Sequence, residues 1–169
     1  VGTTGESATL EPEEQAQVIR FTVERVAKRV PVIAGVGTNN TAHVLDNVQN
    51  ACQAGADALL VVTPYYNKAT QNGLIAHFTA IADASTVPVI LYNVPGRTGC
   101  NIQPATVAKL AEHPNIVAIK EASGNMAQAV ELFARCGDKL DIYSGEDGLT
   151  VPMMSMGGAG TISVLSNVV

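Results

Sequence analysis

The stretch "IVAIKEASG" (116–124) runs four apolar residues directly into Lys120 and then into a small, glycine-containing turn. A short apolar run bounded by turn residues reads as a buried strand, and lysine is among the residues least often buried without a partner. Of the five lysines, Lys28, Lys109 and Lys139 fall on or near helices and Lys68 in a loop, so only Lys120 is placed at the carboxyl end of a strand. Burial disfavours an ammonium and lowers its pKa, leaving a neutral amine that can attack a carbonyl and form a Schiff base. A structural lysine paired with a carboxylate is the competing reading, and position alone leaves the two near even. Strand alternation sends the adjacent Glu121 to the opposite face, so it is poorly placed for that pairing.

Three other segments carry polar groups in similar places. Tyr92, in "ILYNVPGRTG" (90–99), ends the preceding strand, where a phenol could pass protons to and from a carbinolamine oxygen. Taken alone, a core tyrosine with a backbone partner explains it as well. Arg97 follows in a Pro-Gly turn, and its guanidinium fork suits a carboxylate, although an exposed loop arginine is the commoner case. "GTTGES" (2–7) sets Thr3 and Thr4 between glycines whose backbone can approach a ligand closely; Ser7 or Thr9 in the same stretch could equally cap the helix that follows. "TPYYNK" (63–68) offers Tyr65 and Tyr66 from one turn, a pair common at interfaces.

The elements that must position these residues alternate regularly. Helices are predicted over 10–30, 41–55 (with Thr41 as N-cap and Gly55 as stop), 71–85, 103–113, 125–138 and 148–156. Strands are predicted over 31–37, 56–64, 87–95, 115–123, 140–147 and 158–166, with the tail of a further strand ending at Val1. The strands are apolar throughout and not alternating, as in parallel sheets buried on both faces. Both a doubly wound sheet and a (β/α)8 barrel fit this order. The polar residues favour the barrel, because nearly every strand starts plain and ends in chemistry: "GTTGE", "GVGTN", "TPYYN", "YNVPGR", "KEASG", "YSGED". A doubly wound sheet usually gathers its ligand at a Gly-rich first turn, and no G-x-G-x-x-G occurs.

Composition narrows the function classes. The 169 residues are 47% hydrophobic with a net charge of −5 and no basic cluster, which lacks the footprint of a nucleic-acid binder. No apolar run reaches the length of a membrane span. Cys52, Cys100 and Cys136 are an odd, scattered set that suits reduced thiols in a cytoplasm. His43, His77 and His113 show no ligand spacing, so no metal site is expected. Both ends break off in mid-pattern, which suggests part of a longer polypeptide, unstable alone because sheet edges would be exposed.

"GTTGE", "YNVPGRTG" and "IKEASG", with "TPYYNK" and "GAGTISV" in register, closely resemble the dihydrodipicolinate synthase / N-acetylneuraminate lyase family over essentially the whole chain. The resemblance implies a (β/α)8 barrel, here a fragment from the end of strand 2 to strand 8. Residues 1–169 would form a partial catalytic domain without the family's first strand and helix or its C-terminal helical region. It implies a lyase that condenses pyruvate with L-aspartate 4-semialdehyde on the route to diaminopimelate and lysine. The only covalent device expected is an imine through Lys120, with no cofactor. By this resemblance Tyr92 relays protons with Thr3 and with Tyr66, which in the family reaches in from a neighbouring subunit. Thr4 would hold the pyruvate carboxylate and Arg97 that of the aldehyde, while the backbone of Gly145 and Ile162 lines the pocket. A cytoplasmic homodimer or homotetramer is implied, with no nucleic-acid or membrane partner. Ser7, Ala8, Asn39 and Tyr65 match a lysine feedback site of some members. Pro12, Gln15 and His43, however, stand where lysine-inhibited members commonly carry two histidines and a glutamate. A sugar-acid aldolase of the same family and a non-catalytic binding barrel are the alternatives, and Arg97 argues for the synthase.

Overall fold

The structure, a computed structural model, describes residues 1–169. Six strands, β1 (Ile33–Gly35), β2 (Ala58–Val62), β3 (Val89–Asn93), β4 (Ile116–Glu121), β5 (Asp141–Ser144) and β6 (Gly160–Thr161), form one sheet in the order of the sequence. Every neighbouring pair is parallel. Sequential winding without a reversal is the barrel arrangement, since a doubly wound sheet turns back at its switch point. The sheet is therefore an open part of a (β/α)8 barrel, with β1 and β6 as its edges.

Helix α1 (Pro12–Val26) precedes β1; α2 (Thr41–Gln53), α3 (Gln71–Ala84), the single turn α4 (Pro95–Thr98), α5 (Pro104–Leu110), α6 (Met126–Cys136) and α7 (Thr150–Ser155) fall between the strands, α4 directly after β3. Leu59, Val61, Leu91, Ile119 and Ile142 are buried in a cluster with Val44, Leu74, Phe78, Ile81, Leu110 and Leu132 of the helices. That layer is the main core. Its side chains alternate along each strand with residues facing the barrel interior, among them Leu60, Ile90 and Ala118.

Several boundaries differ from the sequence expectation for local reasons. Asn40, not Thr41, caps α2, its side chain accepting from Ala42 N. Neither Ser7 nor Thr9 caps α1: residues 3–9 form two short 3-10 turns, and the Glu14 carboxylate accepts from Glu11 N at 2.9 Å. The helix expected to reach residue 30 stops at Val26, where Ala27 and Lys28 turn left-handed. The strand expected over 158–166 pairs only with β5 and shortens to two residues. Val1 joins no strand; its carbonyl lies where a side chain on Gly35 would sit, 2.6 Å from an added Cβ.

One irregularity governs the site. Val89 pairs with Ile116 but Ile90 with Ala118, so Val117 is an extra residue in β4. Without it, Tyr92 would stand opposite Ile119. With it, Tyr92 stands opposite Lys120, and a one-residue shift of this kind decides which face every later side chain meets.

His77 is buried between α3 and α2, its Nδ1 2.8 Å from the Thr41 hydroxyl and its Nε2 without any partner. Desolvation lowers its pKa to about 4 from the ordinary 6.5. A depressed histidine pKa costs nothing above pH 6.5, and the folded state loses stability as pH falls from there towards 4. A shift of that size corresponds to roughly 3 kcal/mol when fully developed. Melting temperatures between pH 7 and pH 4.5 are expected to fall accordingly, and His77→Gln to flatten that slope. An equally steep slope in the variant would assign the acid loss to other groups.

Candidate active site

The carboxyl ends of the strands place a row of interior-facing positions in register: Val62, Tyr92, Lys120, Tyr143 and Gly160 are successive Cα partners from β2 to β6. Lys120 is 7% exposed and its Nζ lies 4.3 Å from the centroid of the Tyr92 ring. No carboxylate lies within ion-pair distance of it; the ion pairs of the chain join Lys28 to Asp57 and Arg135 to Glu131, and the His113 ring lies 3.1 Å from Asp83. Burial pushes the Lys120 amine below its usual pKa, with the Asp147 carboxylate opposing weakly. Burial raises the Tyr92 phenol, against a smaller effect of Arg97. The pair is thus an amine biased towards its neutral nucleophilic form beside a phenol that keeps its proton.

Gly145 makes room for that amine. A Cβ there would fall 2.8 Å from Lys120 Cε and 2.7 Å from Ala122 Cβ, closer than atoms can approach. The Gly145 and Ile162 amides are already used in the ladder, donating to Glu121 O at 2.8 Å and Ser144 O at 2.9 Å. What these two positions can offer a ligand is therefore their carbonyl and Cα surface.

A cavity of about 570 Å³ opens beside the row, lined by Thr3, Tyr66, Tyr92 and Arg97 together with Ser7, Ala8 and Tyr65. Thr3, Tyr66, Tyr92 and Arg97 thus share one cavity wall within this chain with Ser7, Ala8 and Tyr65 of the set that matches the feedback site. Lys120 is not part of that lining and meets it only through the Tyr92 ring; Thr4, Asn39, Gly145 and Ile162 lie outside it as well. The Tyr66 loop is held by its backbone. Tyr66 N donates to Thr98 O at 3.2 Å, and Asn67 Nδ2 to Asn39 O at 2.8 Å. Tyr66 and Lys68 both adopt positive φ, unusual for residues with side chains. The Tyr66 side chain is left 88% exposed.

Two features escaped the sequence reading. Tyr143 is the interior neighbour of Lys120, a place that alternation within "DIYS" was capable of revealing. Asp147, whose carboxylate accepts from the Ser163 hydroxyl, is the charge that acts on Lys120. No group of three or more His, Cys, Asp or Glu side chains converges in a way that could hold a metal ion.

Comparison with known proteins matches residues 1–169 to the profile of the Dihydrodipicolinate synthetase family. The chain belongs to that family. A 4-hydroxy-tetrahydrodipicolinate synthase of Geobacter sulfurreducens is 59% identical over 99% of the chain, which spans 58% of that relative's length. Among solved structures, a dihydrodipicolinate synthase of Bacillus anthracis superposes with a TM-score of 0.96 at 49% identity, covering 99% of this chain and 57% of the other. The chloride-inhibited dihydrodipicolinate synthase of Acinetobacter baumannii, solved with pyruvate, matches with a TM-score of 0.96 at 47% identity, over 99% of this chain and 57% of the other. These synthetase-family relatives carry the synthase name, not that of a sugar-acid aldolase.

Proposed function

We propose that this synthetase-family chain supplies the reactive core of a 4-hydroxy-tetrahydrodipicolinate synthase, joining pyruvate to L-aspartate 4-semialdehyde through an imine on Lys120. The observation that carries the reading is the desolvated Lys120 amine, unpaired with any carboxylate and set against the Tyr92 phenol. The neutral amine adds to the pyruvate ketone carbon, and the oxygen takes a proton to give a carbinolamine. Loss of water gives the iminium, and loss of a methyl proton gives the enamine. The enamine carbon attacks the aldehyde carbon, whose oxygen takes up a proton and becomes a hydroxyl. The amino group of the former aldehyde substrate then attacks the imine carbon, closes the ring and returns Lys120 as the free amine.

Tyr92 is the proton donor and acceptor for the oxygen steps, in relay with Thr3 and with Tyr66 from a neighbouring subunit. Thr4 holds the pyruvate carboxylate and Arg97 the second one. The exposed Tyr66 phenol on a backbone-anchored loop supports a homo-oligomer in which that loop meets a partner. No helix is long and apolar enough to cross a membrane, in keeping with a cytoplasmic enzyme.

Borohydride reduction with pyruvate, followed by peptide mass mapping, tests the central step. A reduced adduct on the peptide containing Lys120 is expected. Labelling of Lys68 instead, or of no lysine in the folded protein, overturns the mechanism. Weak or absent feedback by lysine is a further expectation. The Gln15 amide is engaged with Ser7 O at 2.8 Å and Leu10 O at 3.2 Å, and His43 replaces an acidic group, so an ammonium lacks a counter-charge there. Strong inhibition of aspartate-semialdehyde turnover by sub-millimolar lysine would contradict this.

A further inference from the structure

Behind the row that carries Tyr92 and Lys120, the next residues of the same strands, Asn93 and Glu121, face the opposite side of the sheet and are themselves Cα partners. They are 0% and 4% exposed. Asn93 Nδ2 donates to Glu121 Oε2 at 3.0 Å and to Asn101 Oδ1 at 2.8 Å, while Asn93 Oδ1 accepts from Ile102 N at 2.9 Å. Glu121 Oε1 accepts from Ser123 N at 2.6 Å, and Oε2 also from Gln128 Nε2 at 3.4 Å. Asn101 and Gln128 exchange amide bonds of 2.8 and 3.1 Å, tying β4 and α6 to the loop after α4.

The chemistry of this cluster is specific. Three donors converge on the two oxygens of Glu121, and only a carboxylate accepts on both. No cation pairs with it, although a buried charge without one is costly. A purely structural position has a cheaper solution, since an apolar side chain could join Leu91 and Ile119 in the core layer. The acceptors instead fasten the last residues of β3 and β4 to each other, one residue beyond the point where Tyr92 and Lys120 must meet. Because the carboxylate lies on the far face, it does this without pairing with the Lys120 amine.

We propose that the Asn93–Glu121 couple is a positioning device that fixes the ends of β3 and β4 so that Lys120 Nζ is held against the Tyr92 ring and out of water. Asn93 and Glu121 touch no substrate and act through Lys120. The inference rests on the reading of Lys120 as the reactive amine.

The test separates the two. The protein is trace-labelled with acetic anhydride across a pH series, and acetylation of Lys120 is read by mass against Lys68 as internal reference. Released to water, Lys120 regains a higher pKa and a smaller neutral fraction. Glu121→Gln puts a donor where a second acceptor is needed, and the Lys120/Lys68 ratio at neutral pH is expected to fall about tenfold, the equivalent of one pKa unit. Glu121→Asp, which keeps the charge, should recover part of it. Gln128→Met removes the 3.4 Å bond to Glu121, the longest at the carboxylate, together with both bonds to Asn101, and should shift the ratio less, in the same direction; it serves if Glu121→Gln does not fold. Leu132→Ala, a core truncation in α6, should lower the melting temperature and leave the ratio unchanged. An unchanged ratio in the folded Glu121 and Gln128 variants overturns the proposal, as does an equal change in Leu132→Ala. Absence of a pyruvate adduct in the unmodified protein would instead defeat the proposed reaction, and the acetylation ratios would still decide the positioning role.

Discussion

Lys120→Met is expected to abolish the borohydride-trapped pyruvate adduct and to lower turnover on the order of 10⁴-fold or more, the scale on which losing a covalent nucleophile acts. The same change is expected to make the folded protein more stable. Methionine is unbranched, follows the space occupied by the lysine stem beside Gly145, and brings no ammonium to desolvate. The amine is held nearly out of water with no ion pair to offset that cost. Removing it should raise the unfolding free energy by about 1 kcal/mol, read from urea midpoints at neutral pH. Lys120→Arg provides the contrast. It is inactive for want of a nucleophile, and it is destabilised because a guanidinium cannot shed its charge when buried. A Met variant that still traps pyruvate would remove Lys120 from the chemistry. A Met variant clearly less stable than the original would mean that its amine is a structural partner after all.

The opposed effects on stability and turnover explain why the odd lysine was visible so early. Four apolar residues ending in a lysine break the local rule that cores are apolar, and such breaks concentrate at functional sites. The outward turn of Glu121 was equally legible, because alternation along a strand has a fixed period. The winding of the sheet was legible in the polar residues gathered at the strand ends; the string of strands and helices alone left no mark of it, since a doubly wound sheet uses the same string, and the order β1 to β6 without reversal bears the barrel out. The extra residue at Val117 also left no mark within "IVAIKE", since a bulge is defined by its partner strand. The acceptor cluster at Glu121 draws on β3, β4, α6 and the loop after α4, four segments that meet only on folding. The two-residue β6 was overestimated because "GAGTISV" has strand composition but a neighbour on one side alone.

Tyr92→Phe should then isolate the proton from the scaffold that holds it. The change removes one hydroxyl and leaves the ring that covers the Lys120 amine. That hydroxyl makes no hydrogen bond within the chain, so folding stability should stay within about 0.5 kcal/mol of the original. Imine formation still has its nucleophile, and a trapped adduct on Lys120 should persist. The steps that protonate the carbinolamine and aldehyde oxygens lose their donor, and kcat is expected to fall roughly 10²- to 10³-fold, the usual scale for positioned acid–base catalysis. The pH profile gives the sharper reading. Burial raises the phenol above its ordinary pKa and the protonated form is the active one, so activity should decline in the alkaline range as that group ionises. In the Phe variant this decline should vanish while the acid limb, governed by loss of neutral Lys120 amine, stays in place. If the variant keeps both full turnover and the alkaline limb, another group carries the proton. If it also fails to trap pyruvate, the hydroxyl is already needed for the first addition, and the relay begins one step earlier than drawn.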